Sequence, residues 1–306
     1  MNKIYDMIII GGGPGGYTAA LYGARAGLST LVLEKLSAGG QMALTTQIDN
    51  YPGFSEGIDG FTLGEKMQAG AEKFGAVTEL AEVYSMKLEP EIKEGETSEG
   101  TFSGRTVIIA TGSSPKTLGI SGEEGMVGRG VNYCAACDGM FYKDKTVAVV
   151  GGGNSAAADS LILSRICKKV YIIHRRDTLR AEQASYQSLL SAENVEFIWS
   201  SAVEEFIADS KLTGIKVRNL QTEEITQIDI DGLFVSIGRN PESSLAGGQL
   251  ILDESGYIAA DETTKTNIPG VYAVGDVRTK PLRQIVTAVA DGAMAVHYAV
   301  EYLSEK

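Results

Sequence analysis

Two cysteines separated by two alanines, with an acid directly after them, are the residues of this chain best suited to chemistry. They are Cys134 and Cys137, and Asp138 follows. A helical i, i+3 spacing would place both sulfurs on one side of one turn, where they can close a small disulfide. Redox work needs one accessible thiolate to attack and a second one to resolve, and a neighbouring carboxylate can transfer the proton. The segment therefore predicts a thiol–disulfide centre with Asp138 as its acid–base group.

The alternative for these cysteines is half of a zinc site. Zinc takes four ligands, and besides the pair the chain offers only Cys167, His174 and His297, with no second close pair. We therefore expect no metal. Cys167 lies in a helix predicted over 155–167 and is expected to be a small buried hydrophobic residue. His297 is expected to be structural, and His174 could touch a nucleotide.

A glycine-rich turn opens the chain, between a short apolar run and a helical pattern. Gly11, Gly13 and Gly16 have the spacing that lets a backbone approach a pyrophosphate at a helix N-terminus. Glu34 ends the next predicted strand 23 residues after the first glycine, close to the ~20 expected for an acid on a ribose diol. Such an acid disfavours a 2′-phosphate, so the turn predicts FAD. The alternative is a glycine turn that only packs.

A second turn of the same kind contains Gly151 and Gly153, but no acid ends the strand that follows its helix. The basic residues found there instead are Arg175, Arg176 and Arg180. Guanidinium forks match the geometry of a phosphate, so this turn predicts the 2′-phosphate of NADPH. The alternative is a solvated basic turn in which the arginines pair with Asp177 and Glu182.

The two turns belong to two copies of a βαβ pattern, so the chain contains an internal duplication. A third segment adds a predicted strand over 266–276 and a helix over 284–303, too short for a domain of their own. We therefore predict an α/β fold with two Rossmann-like (three-layer ββα) nucleotide-binding domains, the second inserted into the first. The expected bounds are 1–115 and 245–306 for a discontinuous FAD-binding domain, and 116–244 for an NADPH-binding domain that carries the cysteine pair.

Composition limits the partners and the compartment. The chain has 306 residues, a net charge of −12 and a hydrophobic content of 43%. An acidic chain is a poor ligand for nucleic acid or an anionic membrane, and no run approaches the ~18 apolar residues of a membrane span. Three cysteines do not make a disulfide framework. We expect a soluble cytoplasmic protein that binds neither nucleic acid nor membrane.

Together these motifs resemble the low-molecular-weight thioredoxin reductases over nearly the full length. The matching segments are Gly11–Gly16, Gly39–Gln41, Asn50–Gly53, Ala110–Gly112, Cys134–Asp138, Gly151–Ala156, His174–Asp177 with Arg180, Gly275–Asp276 and Arg283–Gln284. The dithiol just ahead of the second glycine turn is the most specific of them. The resemblance implies a homodimer that passes electrons from NADPH through FAD and the cysteine pair to the disulfide of thioredoxin or a thioredoxin-like protein.

The resemblance also implies roles for single residues. The expected FAD contacts are Glu34, Gln41, Asn50, Asp276, Arg283 and Gln284. The expected NADPH contacts are Asn154, Ser155, Arg175, Arg176 and Arg180. Cys137 would be the sulfur nearest the flavin, and Cys134 the sulfur that attacks the substrate. Asn154 stands where an acid is often found and Ile285 where alanine is common, which leaves the preference for NADPH over NADH open.

The order of the motifs places the dithiol and the nicotinamide site on one inserted domain, although both must reach a single flavin. A rotation of that domain on linkers near 113–119 and 239–245 would bring the dithiol and the nicotinamide site to the flavin in turn.

The rival functions belong to proteins that have lost one of the motifs present in this chain. A ferredoxin-dependent relative lacks the second glycine turn and the arginines, a dithiol oxidase lacks the arginines, and a ferredoxin–NADP reductase lacks the cysteine pair. A redox sensor without turnover would be separated by a flavin-reduction assay.

Overall fold

The computed structural model describes residues 3–306, which form two compact units. The first unit contains the chain up to Ser114 together with Asn240–Lys306, and the second is Pro115–Arg239. The strands are β1 Ile4–Ile10, β2 Thr30–Glu34, β3 Val77–Leu80, β4 Val83–Lys87, β5 Lys93–Thr97, β6 Gly100–Ile109, β7 Ser113–Pro115, β8 Val131–Asn132, β9 Thr146–Val150, β10 Lys169–Ile173, β11 Val195–Ile198, β12 Ser201–Ala208, β13 Leu212–Asn219, β14 Ile225–Asp229, β15 Gly232–Val235, β16 Arg239–Pro241 and β17 Val271–Ala273. The α-helices are α1 Pro14–Arg25, α2 Gly60–Glu72, α3 Glu123–Met126, α4 Ala135–Asp138, α5 Asn154–Ser164, α6 Gln183–Leu190 and α7 Ile285–Ser304.

The first unit is built on a sheet with the strand order β3-β2-β1-β6-β5-β4, in which β17 also pairs with β6. Strands β3, β2, β1, β6 and β17 are parallel, whereas β4, β5 and the start of β6 form an antiparallel meander. Because side chains alternate along a strand, Ile8 packs with Met86 of the meander, and Ile9 packs beneath α1 and α7 with Ala19 and Ala295. The sheet is therefore buried on both faces.

Helices α1 and α7 pack against each other at very short range. A Cβ atom on Gly292 would lie 2.3 Å from the carbonyl oxygen of Gly15, so only glycine allows this approach. The N-terminal and C-terminal segments of the first unit thus share one helical layer.

The second unit contains a parallel sheet with the order β11-β10-β9-β15-β8 and a separate antiparallel sheet β12-β13-β14. Val149 faces α5 and α6 with Leu163, while Ala148 faces the antiparallel sheet with Ile215. Helices, parallel sheet and antiparallel sheet make three layers. The predicted α/β class with two Rossmann-like units, one inserted into the other, is confirmed.

Two predicted elements are shorter than expected. Helix α5 ends at Ser164, so Cys167 lies beyond it and not inside a helix. Cys167 is nevertheless buried, and burial together with two nearby acids raises the pKa of its thiol to about 11. Within the run 266–276 the strand is limited to β17, because Pro269 lacks an N–H for a ladder and Gly270 has φ +75°.

Candidate active site

The cysteine pair lies at the N-terminus of α4. The two sulfurs are joined as a disulfide, and the Cα atoms of Cys134 and Cys137 are 5.3 Å apart. Cys134 is the N-cap of α4, and its sulfur accepts the backbone N–H of Cys137 at 3.2 Å. Both cysteines are half-buried. The predicted dithiol therefore exists as a closed disulfide that keeps some access to solvent.

Asp138 ends the same helical turn, and burial raises its pKa to about 6. A carboxyl group that titrates near neutral pH can both accept and donate a proton at a thiol. The turn is supported by Tyr142, whose hydroxyl accepts a hydrogen bond from Asn132 Nδ2 at 2.9 Å. A Cβ on Gly139 would lie 3.3 Å from Leu163, so the turn sits tightly on α5.

The first glycine turn combines close packing with one open position. A Cβ on Gly11 would lie 2.5 Å from the carbonyl oxygen of Ala110, and one on Gly16 would lie 2.0 Å from that of Gly11. A Cβ on Gly13 would meet no described atom within 4 Å. Helix α1 starts after Gly13 without a side-chain cap, so its first N–H groups remain available for an anion.

Glu34 has a role that the sequence did not reveal. Its carboxylate accepts the backbone N–H of Gly12 at 2.6 Å and that of Leu36 at 3.0 Å. These two bonds fix the shape of the glycine turn. A carboxylate offers about four lone-pair sites, so Glu34 can still accept hydroxyl groups of a ribose.

The predicted residues near α7 gather around its N-terminus. Gln284 is the N-cap of α7, and Asn50 Nδ2 donates to Gln284 Oε1 at 3.1 Å across 234 positions of sequence. Arg283 lies with its guanidinium carbon 3.9 Å from the ring centroid of Tyr257 and donates to the carbonyl oxygen of Asp276 at 3.4 Å. The fold thus brings these four predicted contacts to one place.

Gln41 lies in a 3₁₀ helix, Gly40–Leu44, and is exposed. A Cβ on Gly40 would lie 3.6 Å from the Cα of Gly13. The loop that carries Gln41 therefore lies beside the first glycine turn, in reach of the same ligand.

A buried ionic cluster beneath this site escaped prediction. Asp291 of α7 accepts hydrogen bonds from Arg278 Nε at 2.9 Å, from Lys280 Nζ at 2.7 Å and from the N–H of Gly275 at 2.8 Å. Burial opposes ionisation of Asp291, but the bonds from Arg278 and Lys280 hold its pKa below the ordinary value. Through Gly275 the cluster fixes the turn that presents Asp276. The only local signal is an acid among small apolar residues of α7, and it does not indicate which cations that acid will meet.

The second glycine turn has the same arrangement in the other unit. A Cβ on Gly151 would lie 2.4 Å from the carbonyl oxygen of Ser236, and one on Gly152 would lie 2.2 Å from the ring of His174. A Cβ on Gly153 would meet no described atom within 4 Å. Helix α5 follows without a side-chain cap, and Ser155 is exposed in its first turn. This helix N-terminus is also open to an anion.

The basic loop after β10 folds back onto this turn. The N–H of Arg180 donates to the carbonyl oxygen of Gly152 at 2.6 Å, and Asn154 Oδ1 accepts the N–H of Glu182 at 2.9 Å. All three predicted arginines are exposed. Among residues 3–306 none of the three has an acidic partner within 4.0 Å. The pairing with Asp177 and Glu182 that the alternative requires is absent from the described structure.

His174 is 5% exposed, and its Nε2 has no hydrogen-bond partner among the described residues. Burial, and then the charges of Arg180, Arg175 and Arg176, lower its pKa, so the ring is neutral near pH 7. Its ring centroid is 6.5 Å from that of Trp199 in an edge-on contact. An unpartnered buried nitrogen against Gly152 suits a polar ligand at this turn.

Two further observations concern the whole described chain. Over residues 3–306 we find no cluster of three or more His, Cys, Asp or Glu side chains that could hold a metal ion. In the same range no helix has the length and apolar character needed to cross a membrane.

Known proteins match this architecture along its length. The family model for pyridine nucleotide-disulphide oxidoreductases matches residues 5–292. A thioredoxin reductase of Listeria monocytogenes is 45% identical over 305 residues, covering 99% of this chain and 95% of that protein. One from Streptomyces coelicolor is 44% identical over 307 residues, with coverage of 99% and 95%. The crystal structure of thioredoxin reductase from Streptococcus pyogenes has a TM-score of 0.93 at 40% identity, and each chain is covered to 100%. The chain therefore belongs to the thioredoxin reductases, within the pyridine nucleotide-disulphide oxidoreductase family.

Proposed function

We propose that the chain is an NADPH-dependent flavoprotein that reduces the disulfide of thioredoxin or a thioredoxin-like protein. Family membership makes it a disulfide reductase that uses a flavin and a pyridine nucleotide. The observation that carries the finer proposal is the Cys134–Cys137 disulfide at the start of α4. It lies in the same unit as a glycine turn flanked by arginines for which residues 3–306 offer no acidic partner within 4.0 Å.

FAD suits the first unit. The open position at Gly13 and the uncapped N-terminus of α1 form a cradle for a pyrophosphate. Glu34 would accept a ribose hydroxyl. The remaining polar groups that would hold the cofactor are Gln41, Asn50, Asp276, Arg283 and Gln284. These groups gather around one helix N-terminus and one glycine turn, which supports FAD as the flavin.

NADPH suits the second unit. The open position at Gly153 and the N-terminus of α5 would receive the pyrophosphate, with Asn154 and Ser155 in the first turn. A 2′-phosphate would pair with the exposed guanidinium groups of Arg175, Arg176 and Arg180, which match its oxygens better than a hydroxyl would. The absence of acidic partners for these arginines among the described residues supports NADPH over NADH.

The chain's own residues then perform the exchange. The Cys134 thiolate attacks one sulfur of the substrate disulfide, forming a mixed disulfide and releasing one substrate thiolate. Cys137 attacks Cys134, which re-forms the Cys134–Cys137 bond and releases the second substrate thiol. Asp138 takes the proton of the attacking thiol and returns it to a leaving thiolate. Bound FAD would supply the two electrons of NADPH that reopen the Cys134–Cys137 disulfide.

The surface beside the dithiol supports a protein substrate. Met140 is 63% and Phe141 46% exposed, directly after the redox turn. Contiguous exposed apolar side chains can form part of a protein–protein interaction surface. A small dithiol substrate is too small to bury both side chains, whereas a thioredoxin-like protein could cover them.

We also propose a homodimer and a cytoplasmic location. On the first unit, an apolar depression of about 490 Å³ on α7 is lined by Ala290, Ala293, Met294, His297 and Tyr298. An apolar helix face of this kind suits a second copy of the chain. A reducing compartment would keep the dithiol cycling and the Cys167 thiol reduced.

The test is a pair of half-reactions on the purified protein. It should be yellow, and NADPH should bleach the flavin in the wild type and in Cys134→Ser, since hydride transfer does not require the dithiol. Cys134→Ser should fail to reduce thioredoxin, whereas Cys137→Ser should trap it as a mixed disulfide. A folded preparation that cannot be reconstituted with FAD, or a Cys134→Ser variant with full reductase activity, would overturn the proposal.

A further inference from the structure

A carboxylate that has no part in the exchange chemistry lies beneath the dithiol helix. Asp159 is in the second turn of α5, which packs against α4. Its carboxylate accepts the backbone N–H of Ala135, the first residue of α4. It also accepts a hydrogen bond from Ser236 Oγ at 2.5 Å. Asp159 thus joins three elements at the start of the redox turn.

The other end of this connection is anchored in the parallel sheet. The N–H of Ser236 donates to the carbonyl oxygen of Val150 at 2.8 Å. The carbonyl oxygen of Ser236 lies against Gly151, where a Cβ would approach it to 2.4 Å. The support of the dithiol helix is therefore the same segment that shapes the second glycine turn.

Helix α4 needs such support because it is only four residues long. So short a helix has no stability of its own in water, and its first N–H groups lack partners within the helix. In the oxidised protein the Cys134–Cys137 bond closes the turn covalently. Reduction removes that closure at the moment when Cys134 must be held in place to attack.

We propose that Asp159 is a positioning residue for the reduced dithiol: its bond to the Ala135 N–H holds the first turn of α4 when the disulfide is open. The inference rests on the proposed disulfide exchange and deepens it. The proposed role of Asp159 is exercised through the backbone of the residue next to Cys134 and not on the reacting sulfurs themselves. A residue that only packed α5 on the sheet would matter equally in both redox states.

Four variants of the flavin-loaded protein separate these roles. Asp159→Ala removes the acceptor, Asp159→Asn keeps an acceptor oxygen, and Ser236→Ala frees the carboxylate from its anchor. Asp209→Asn is the control, because Asp209 is an exposed acid elsewhere in the same unit. The first readout is hydrogen exchange of the Ala135 amide, measured in the oxidised protein and after reduction with dithiothreitol.

Loss of the acceptor should speed exchange at Ala135 about tenfold in reduced Asp159→Ala, with little change in the oxidised protein. Asp159→Asn should restore the wild-type rate to within about threefold, and Ser236→Ala should be intermediate. In turnover, kcat for thioredoxin should fall about tenfold in Asp159→Ala with KM nearly constant, while bleaching of the flavin by NADPH stays at the wild-type rate.

The inference would be overturned if the Ala135 amide exchanged equally fast in the reduced wild type and the reduced variants. It would also be overturned if Asp159→Ala changed the exchange rate equally in the oxidised and the reduced protein. If Asp159→Ala does not fold, Ser236→Ala and Asp159→Asn decide by the same exchange measurement. Failure of the proposed function itself looks different: the wild-type protein would then not bleach with NADPH or not reduce thioredoxin.

Discussion

Neutralising the basic cluster should abolish the preference for NADPH over NADH. The substitutions are Arg175→Gln, Arg176→Gln and Arg180→Gln, singly and together. The loop that carries them is held by backbone bonds, from Arg180 to Gly152 and from Glu182 to Asn154. Each substitution therefore removes a guanidinium group and leaves the anchoring of the loop in place.

The size of the effect follows from exposure and charge. A hydrogen bond to a charged group contributes about 1.5–3 kcal/mol, and exposed groups fall at the lower end because salt and water screen them. Since about 1.4 kcal/mol corresponds to a factor of ten, each substitution should raise KM for NADPH about tenfold. The three groups would share one phosphate, so their effects are not additive, and the triple variant should raise KM for NADPH roughly 100-fold, less than the product of the three single effects. KM for NADH should rise only about twofold to threefold, through the lost long-range attraction.

The assay compares steady-state turnover with both nucleotides at one ionic strength. Binding can be followed separately, because the single tryptophan of the chain, Trp199, lies beside His174 with ring centroids 6.5 Å apart. Arg165→Gln is the matched control: it removes the same charge at the C-cap of α5, the end of the helix away from the glycine turn. Added salt should raise KM for NADPH more in the wild type than in the triple variant.

An equal rise of KM for both nucleotides would refute the reasoning, since it would show that the arginines do not distinguish a phosphate from a hydroxyl. The same rise in Arg165→Gln would refute it as well, because the effect would then come from net charge alone.

The remaining predictions concern two buried carboxyl groups. Because burial raises the pKa of Asp138 to about 6, the folded state binds its proton more tightly than the unfolded state, and stability is lost as pH rises from about 4 through 6. The free energy of unfolding of Asp138→Asn, measured in urea, should therefore match that of the wild type at pH 4 and exceed it by about 2 kcal/mol at pH 8. The rate of thioredoxin reduction by this variant should fall about 100-fold. A stability difference that does not change with pH would contradict this reasoning. Asp291→Asn leaves Arg278 and Lys280 buried without their counter-ion and should lower the free energy of unfolding by about 3–5 kcal/mol, with loss of FAD on gel filtration. An unchanged unfolding midpoint and retained flavin would show that the cluster supports neither.

The sequence predicted what depends on local chemistry. Glycine spacing, the strand before it and the helix after it occur within a few tens of residues, so Gly11–Gly16 and the turn at Gly151 were readable directly, and the α/β class followed from their repetition. The pairing of Cys134 with Cys137 was readable for the same reason. Each of these signals lies within one supersecondary unit.

What the sequence did not predict depends on contacts between distant segments. The bond between Asn50 and Gln284 spans 234 positions, and the bond between Asp159 and Ser236 spans 77. No local pattern indicates which acid of a helix will face a buried cation, so Asp291 was not found. Glu34 was recognised from its position at the end of a predicted strand. Its hydrogen bond from the Gly12 N–H, which shapes the first glycine turn, is visible only in the folded structure.

The division of the first unit between two chain segments sets the order of its biogenesis. Strands β1 to β6 leave the ribosome first, then the whole of Pro115–Arg239, and only then β17 and α7. The second unit has all its strands before the last segment is made, whereas α1 must wait for α7, against which it packs at Gly15 and Gly292. The residues from Asp276 to Gln284 that are proposed to hold the flavin are synthesised after the whole of the second unit. The proposed flavin site is therefore complete only after this last segment has been made, whereas every segment of the dithiol unit is made before it.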